Sequence, residues 1–162
     1  MTLDVIRERM AAFLRQAGLD AVCAWPEAAR TRRRAAVAAV SLRELQGGPG
    51  GFQDYLGERY NRESGRWEEL YGKKAQARLG LDLYAPTAAG VQKAADTLSE
   101  ALRRDGPEGL RVAEFSCGET EYDREADLYR CAAEVLCEAY LYAVAEEGGA
   151  FLDFEVRGKG SV

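Results

Sequence analysis

Histidine is absent from the 162 residues, and that one absence removes much of the usual enzyme chemistry. Neither a Ser-His-Asp nor a Cys-His nucleophile system can be built, nor any His-based metal site. What remains for catalysis is carboxylate, lysine or cysteine chemistry. The four cysteines, Cys23, Cys117, Cys131 and Cys137, include no Cys-x-x-Cys pair. They read as small core residues in a reducing cytoplasm. No apolar run approaches the ~20 residues that cross a bilayer. The N-terminal "MTLDVIRERM" carries acids and arginines where a signal peptide has its apolar core, so export is not expected. An overall basic field is missing too. With 22 basic and 27 acidic residues the net charge is −5, which does not steer the chain toward nucleic acid.

What is present is ordinary for a folded domain: 47% hydrophobic and 30% charged residues, enough chain for one core. In the first segment, Leu3, Ile6, Met10, Phe13, Leu14 and Ala17 share a helical face, with Thr2 as N-cap, Asp4 in the first turn and Gly18 at the stop. A short apolar piece ending at Pro26 suits an edge strand. The cluster Arg30-Thr31-Arg32-Arg33-Arg34 reads as a solvated loop, or else as a contact for phosphate or an acidic partner. Residues 35–45 follow as a buried strand.

The clearest strand signal is "KKAQARLGLDLYAP". There Ala75, Ala77, Leu79, Leu81 and Leu83 alternate with Gln76, Arg78, Gly80, Asp82 and Tyr84. Thr87 then caps a helix whose stripe is Val91, Ala94, Ala95, Leu98, Ala101 and Leu102, with Arg103 and Arg104 in the last turn. "GLRVAEFSCGE" reads as a strand, and "FLDFEVRG" as a terminal one. Between them, "LYRCAAEVLCEAYLYAVAEE" fits helix and strand equally. Helical spacing groups Leu128, Cys131, Ala132, Val135 and Ala139; strand spacing groups Cys131, Ala133, Val135, Cys137, Ala139 and Leu141.

The expected architecture is α+β: a single mixed, mainly antiparallel sheet with two helices packed on one face. Residues 46–68 form an extended loop or β-hairpin arm within a single domain, 1–162. "GGPGG" lacks the spacing of a phosphate loop, no Gly-Lys-Ser/Thr follows it, and Pro49 removes an N–H that a cradle would need. The glycines instead read as the flexible root of an arm, since unstructured loops beyond about 12–15 residues are usually functional. The arm's aromatics and arginines, Phe52, Tyr55, Tyr60, Arg62, Arg66 and Trp67, are residue types favoured at binding hot spots. The acids Glu119, Glu121, Asp123, Glu125 and Asp127 lack the pattern of a calcium loop and read as a solvated face. Cys117 has no histidine to activate it.

Four segments in order, "VAAVSLRELQGGPGGFQDYLG", "GRWEELYGKKAQARLGLDLYAP", "TEYDREADLYRCAAEVLCEAYLYA" and "FLDFEVRGKG", carry a resemblance to the tail terminator (tail completion, minor tail) proteins of long-tailed phages and prophages. With the N-terminal helix it covers nearly the whole chain, although no single motif is diagnostic. The resemblance implies a structural protein without catalytic residues, cofactor or metal. It implies a self-assembled ring, hexameric in the family, that caps the tail tube, with the tube protein and a head–neck connector protein as partners and neither membrane nor specific nucleic acid. It places the chain in the virion tail, assembled in the bacterial host cytoplasm. It also implies that residues 128–145 are one long strand. Alternatives are a head–tail connector or neck completion protein, a small cytosolic enzyme using Cys117 or the 119–127 acids, and a monomeric regulatory binding module.

Overall fold

A computed structural model describes residues 3–23, 35–49, 55–145 and 151–157. The chain runs α1 (Leu3–Gln16), β1 (Asp20–Val22), β2 (Val37–Pro49), β3 (Tyr55–Asn61), β4 (Arg66–Ala85), α2 (Ala88–Arg104), β5 (Arg111–Asp123), β6 (Leu128–Ala145) and β7 (Phe151–Arg157). The seven strands form one sheet in the order β1-β2-β4-β6-β5, with β3 added to β4 and β7 to β6. Only β1 and β2 are parallel; the other pairings are antiparallel. The expected α+β architecture is therefore the observed one.

Both helices pack on one face. Ile6, Met10, Ala11 and Leu14 of α1 and Val91, Ala94, Ala95, Leu98 and Leu102 of α2 join a single core with the sheet. The α1 stripe is rotated from the expected one: Ala11 is buried, whereas Leu3 is exposed. Gly18, at φ +90°, stops the helix as its position suggests. Beyond it, the Arg15 guanidinium donates to the Ala21 carbonyl at 2.8 and 3.0 Å and ties α1 to β1. Thr87 caps α2, its hydroxyl accepting from the Gly90 N–H at 3.0 Å. Thr2, the expected cap of α1, lies outside the described residues.

The ambiguous segment is a strand. Cys131, Ala133, Val135, Cys137 and Ala139 of β6 are buried at every second position, opposite Leu83, Leu79, Ala77 and Ala75 of β4. The register of β4 with β6 is unbroken from Glu69↔Ala145 to Ala85↔Tyr129. One parity therefore defines each face along the whole of β4. Odd residues look toward the helices and even residues look away.

Of the two expected forms of residues 46–68, the described ones take the β-hairpin rather than the loop. Gly47, Gly48 and Pro49 stay in the ladder opposite Ala75, Lys74 and Lys73, and β3 then pairs with residues 66–71 of β4 along the same edge. The glycines up to 48 are thus strand rather than a flexible root. Backbone pairing with a long, rigid β4 outweighs the entropic cost of glycine, and proline is tolerated at the end of an edge strand. The turn itself spans only residues 62–65. The Asn61 side-chain oxygen accepts from the N–H groups of Glu63 (2.9 Å) and Ser64 (3.2 Å), and Gly65 closes the turn at φ +67°.

At the opposite edge of the sheet, β5 and β7 succeed one another along β6 in the same way. The sheet therefore has two parts that share β4 and β6. A body lies under the helices, and a distal blade of β3, residues 66–72, residues 140–145 and β7 extends beyond them.

On the blade's even face, Leu70 is buried against Leu56 and Tyr140, a small second core. Glu68, 8% exposed, accepts there from Arg59 Nε at 2.9 Å and Asn61 Nδ2 at 2.8 Å. Removing this buried carboxylate takes an acceptor away from both donors. Glu68→Ala is expected to destabilise the blade by about 2 kcal/mol, with Glu68→Gln intermediate. Hydrogen exchange would report this as faster opening confined to residues 55–72; uniform acceleration across the body would contradict it.

Candidate interaction surface

The blade's odd face has no helix above it. Cross-strand pairing sets Tyr55 opposite Tyr71 and Tyr60 opposite Trp67, and each pair meets edge-to-face with ring centroids 5.5 Å apart. Such pairs prefer this geometry because the positive ring edge meets the negative ring face. All four rings nevertheless remain open to solvent to some degree: Trp67 is 65%, Tyr60 52% and Tyr55 40% exposed, and Tyr71 is half-buried. Contiguous exposed aromatics rimmed by polar groups mark interaction sites.

Between the two aromatic pairs, Glu58 stands directly opposite Glu69. Like charges facing each other across a ladder are destabilising. Neither carboxylate makes an ion pair with any described residue; Glu69 accepts only from the Tyr71 hydroxyl, at 2.8 Å. That hydrogen bond raises the Tyr71 phenol above its ordinary value, while partial desolvation and then Glu58 and Glu69 raise that of Tyr55. A bulge at Leu56, with Gly57 at φ +130°, lets Leu56 turn to the small core while Tyr55 keeps its ring on this face.

The structure brings together three of the six residues singled out from the sequence: Tyr55, Tyr60 and Trp67. Arg62 sits in the exposed turn, and alternation puts Arg66 on the opposite face. Phe52 lies outside the described residues. Tyr71, Glu58 and Glu69 were missed as members of this face. The signal was present in "RWEELYG", where Trp67, Glu69 and Tyr71 recur every second residue, once the strand is extended back to Arg66.

Other candidates are already occupied by their own partners. On the body's even face, Arg43 crosses β4 to reach Glu134 of β6 at 2.8 Å. It can do so because Gly80, between them, has no side chain; a Cβ there would lie 2.6 Å from Arg43 Nε. Arg78 meets the other oxygen of Glu134 at 2.6 Å, and Arg130 meets Asp82 at 3.0 Å. The two arginines hold the Glu134 carboxyl below its usual range, Arg78 foremost. Because the folded value is depressed, the stability it brings is complete above the ordinary glutamate value and is lost as pH falls through the folded one. The melting temperature of the wild type is expected to drop more steeply than that of Glu134→Gln as pH falls below 4.5. Parallel curves would contradict this.

A groove of about 460 Å³ runs between the helices, lined by Arg9, Phe13, Thr97, Glu100, Arg104 and Glu108 among others. Its arginines have partners there: Arg104 pairs with the Glu100 carboxylate, and Arg9 donates to the Glu108 backbone carbonyl. The acidic run 119–127 spans the end of β5, with Glu119, Glu121 and Asp123, and the β5–β6 connection, with Glu125 and Asp127. The Asp123 carboxylate accepts from the N–H groups of Glu125 (3.0 Å) and Ala126 (3.2 Å), and Tyr122 donates to Asp127. Among the described residues no group of three or more acids and cysteines is placed to hold a metal ion.

Cys117 is exposed with the Ser99 hydroxyl 3.8 Å away, whereas Cys131 and Cys137 are buried. Burial pushes the Cys137 thiol up to about 12, which leaves almost no thiolate at neutral pH. In the native protein a maleimide is expected to label Cys117 quickly and Cys137 only after unfolding. Native labelling of Cys137, read by mass spectrometry, would contradict this packing.

Comparison with known protein families and with curated proteins finds no match to this chain.

Proposed function

We propose that this chain is a structural tail protein of a phage or prophage, a tail terminator whose copies close into a ring on the tail tube and join it to the head. The observation that carries the reading is the blade: a sheet extension beyond the helices with an exposed aromatic face that no described residue covers. The resemblance of the four sequence segments supports it, as does an α+β fold with two helices on one side of the sheet. In this role the function is surface recognition, without a catalytic step or a cofactor. The partners are further copies of the chain, the tube protein and a neck protein, in a virion tail assembled in the host cytoplasm.

A closed ring needs a contact between two different surfaces that repeats with a fixed rotation. Sedimentation velocity of the purified chain, followed by electron microscopy with tube protein added, tests the reading. The expected result is a ring-sized species and tubes of defined length. A chain that stays monomeric at high concentration and leaves tube growth unlimited would overturn it.

A further inference from the structure

The arginine cluster lies outside the described residues, and the blade has two adjacent carboxylates that pair with no cation among the described residues. Both features are unusual in isolation, and their chemistries are complementary. Arg30, Arg32, Arg33 and Arg34 place four guanidinium groups in five residues. The blade face offers two carboxylates flanked on each side by an aromatic pair. Guanidinium groups stack on aromatic faces and pair with carboxylates at once, which an ammonium does less well.

The blade and the start of β2, to which the arginine segment is joined in sequence, lie at opposite ends of β4. Glu69 is fifteen residues from Tyr84 along β4, and Tyr84 is the partner of Val37, where the arginine segment rejoins the sheet. At about 3.3 Å per residue that separation is about 50 Å. Arg30 is seven residues from Val37, a reach of at most about 25 Å even when fully extended. The arginines of a chain therefore cannot meet the blade of the same chain.

We propose that the blade face formed by Tyr55, Glu58, Tyr60, Trp67, Glu69 and Tyr71 receives the arginine segment, residues 30–34, of a second copy of this chain. The contact is head-to-tail: the acidic, aromatic end of one sheet meets the basic end of the next. It rests on the reading that copies of the chain assemble, and it names the two surfaces that do so. Each copy keeps one free blade and one free arginine segment until the last contact closes the ring, as a heterologous interface requires. The opposed carboxylates, unfavourable in the single chain, are relieved when a guanidinium comes between them.

Charge reversal tests this with the full-length protein. Glu58→Lys/Glu69→Lys gives a chain with a basic blade and a basic segment; Arg32→Glu/Arg33→Glu/Arg34→Glu gives one with both acidic. Each alone is expected to lose association at least tenfold by sedimentation velocity, with unchanged circular dichroism. An equimolar mixture restores it, because each blade then finds a segment of opposite charge on the other chain. Glu58→Gln/Glu69→Gln, which removes charge without reversing it, is expected to weaken association and its salt dependence, and carries the test if a reversed chain misfolds. If the wild type assembles and the variants assemble equally well, or the mixture is no better than its parts, this contact is wrong while assembly stands. A wild type that remains monomeric at low salt overturns both.

Discussion

Leu79→Ala is expected to destabilise the chain by about 3 kcal/mol, the middle of the range for a leucine removed from a packed core. Leu79 has no exposed surface and sits at the centre of β4, between Leu42 of β2 and Val135 of β6 on the face the helices cover. A site flanked on both sides by ladder-bonded strands cannot collapse into the space left behind, so most of the cavity persists. In a chain of this size that loss lowers the melting temperature by roughly 6–12 °C. Leu3→Ala serves as the comparison, because Leu3 is 54% exposed and its loss costs under about 0.5 kcal/mol. Urea denaturation of both variants at neutral pH decides the matter. A Leu79→Ala loss below about 1 kcal/mol would mean that the layer between sheet and helices is looser than the structure describes.

Trp67→Ala is expected to weaken assembly of the chain by about 30-fold or more, the effect of deleting an interface hot spot. At 65% exposure the indole contributes little to the core, so the change in folding stability is confined to the edge-to-face contact with Tyr60, about 1 kcal/mol. The separation of the two effects is the informative part. A structural role would move the melting curve and the association curve together, whereas an interface role moves the second far more. Trp67→Phe keeps an apolar ring at the same position and is expected to recover most of the affinity. Sedimentation equilibrium over a range of concentrations reads the outcome. A Trp67→Ala chain that assembles as the wild type does would remove the blade's aromatic face from the interface.

Much of the body was legible because its signals are local. The alternation from Ala75 to Leu83 and the stripe from Val91 to Leu102 each repeat with the period of one element, and Thr87 marks the helix start through its own hydroxyl. Residues 128–145 were not legible from residues alone. Cys131, Val135 and Ala139 are four apart, a spacing that satisfies a helical stripe and a strand face alike. Pairing with β4 on one edge and β5 on the other decides for strand. The resemblance to tail proteins implied the same strand, on grounds other than periodicity. Gly47 and Gly48, read as part of a flexible root, are strand for a related reason. Glycine and proline report on the local freedom of the backbone, and that freedom was overruled by hydrogen bonds to β4 from Lys73 to Ala75.

The sequence by itself determined the α+β class, both helices and their caps or stops, the central strand, and the presence of aromatics and arginines in an arm. Each follows from the chemistry of neighbouring residues. Only the tertiary structure decided that β4 and β6 run unbroken past the helices, that the hairpin turns at residues 62–65, and that Tyr55, Tyr60, Trp67 and Tyr71 share one face around two opposed glutamates. Those facts depend on register between segments far apart in the chain, such as Ala75 with Ala139. Register is set by which edges pair and which face is buried, and no single stretch of sequence carries that information.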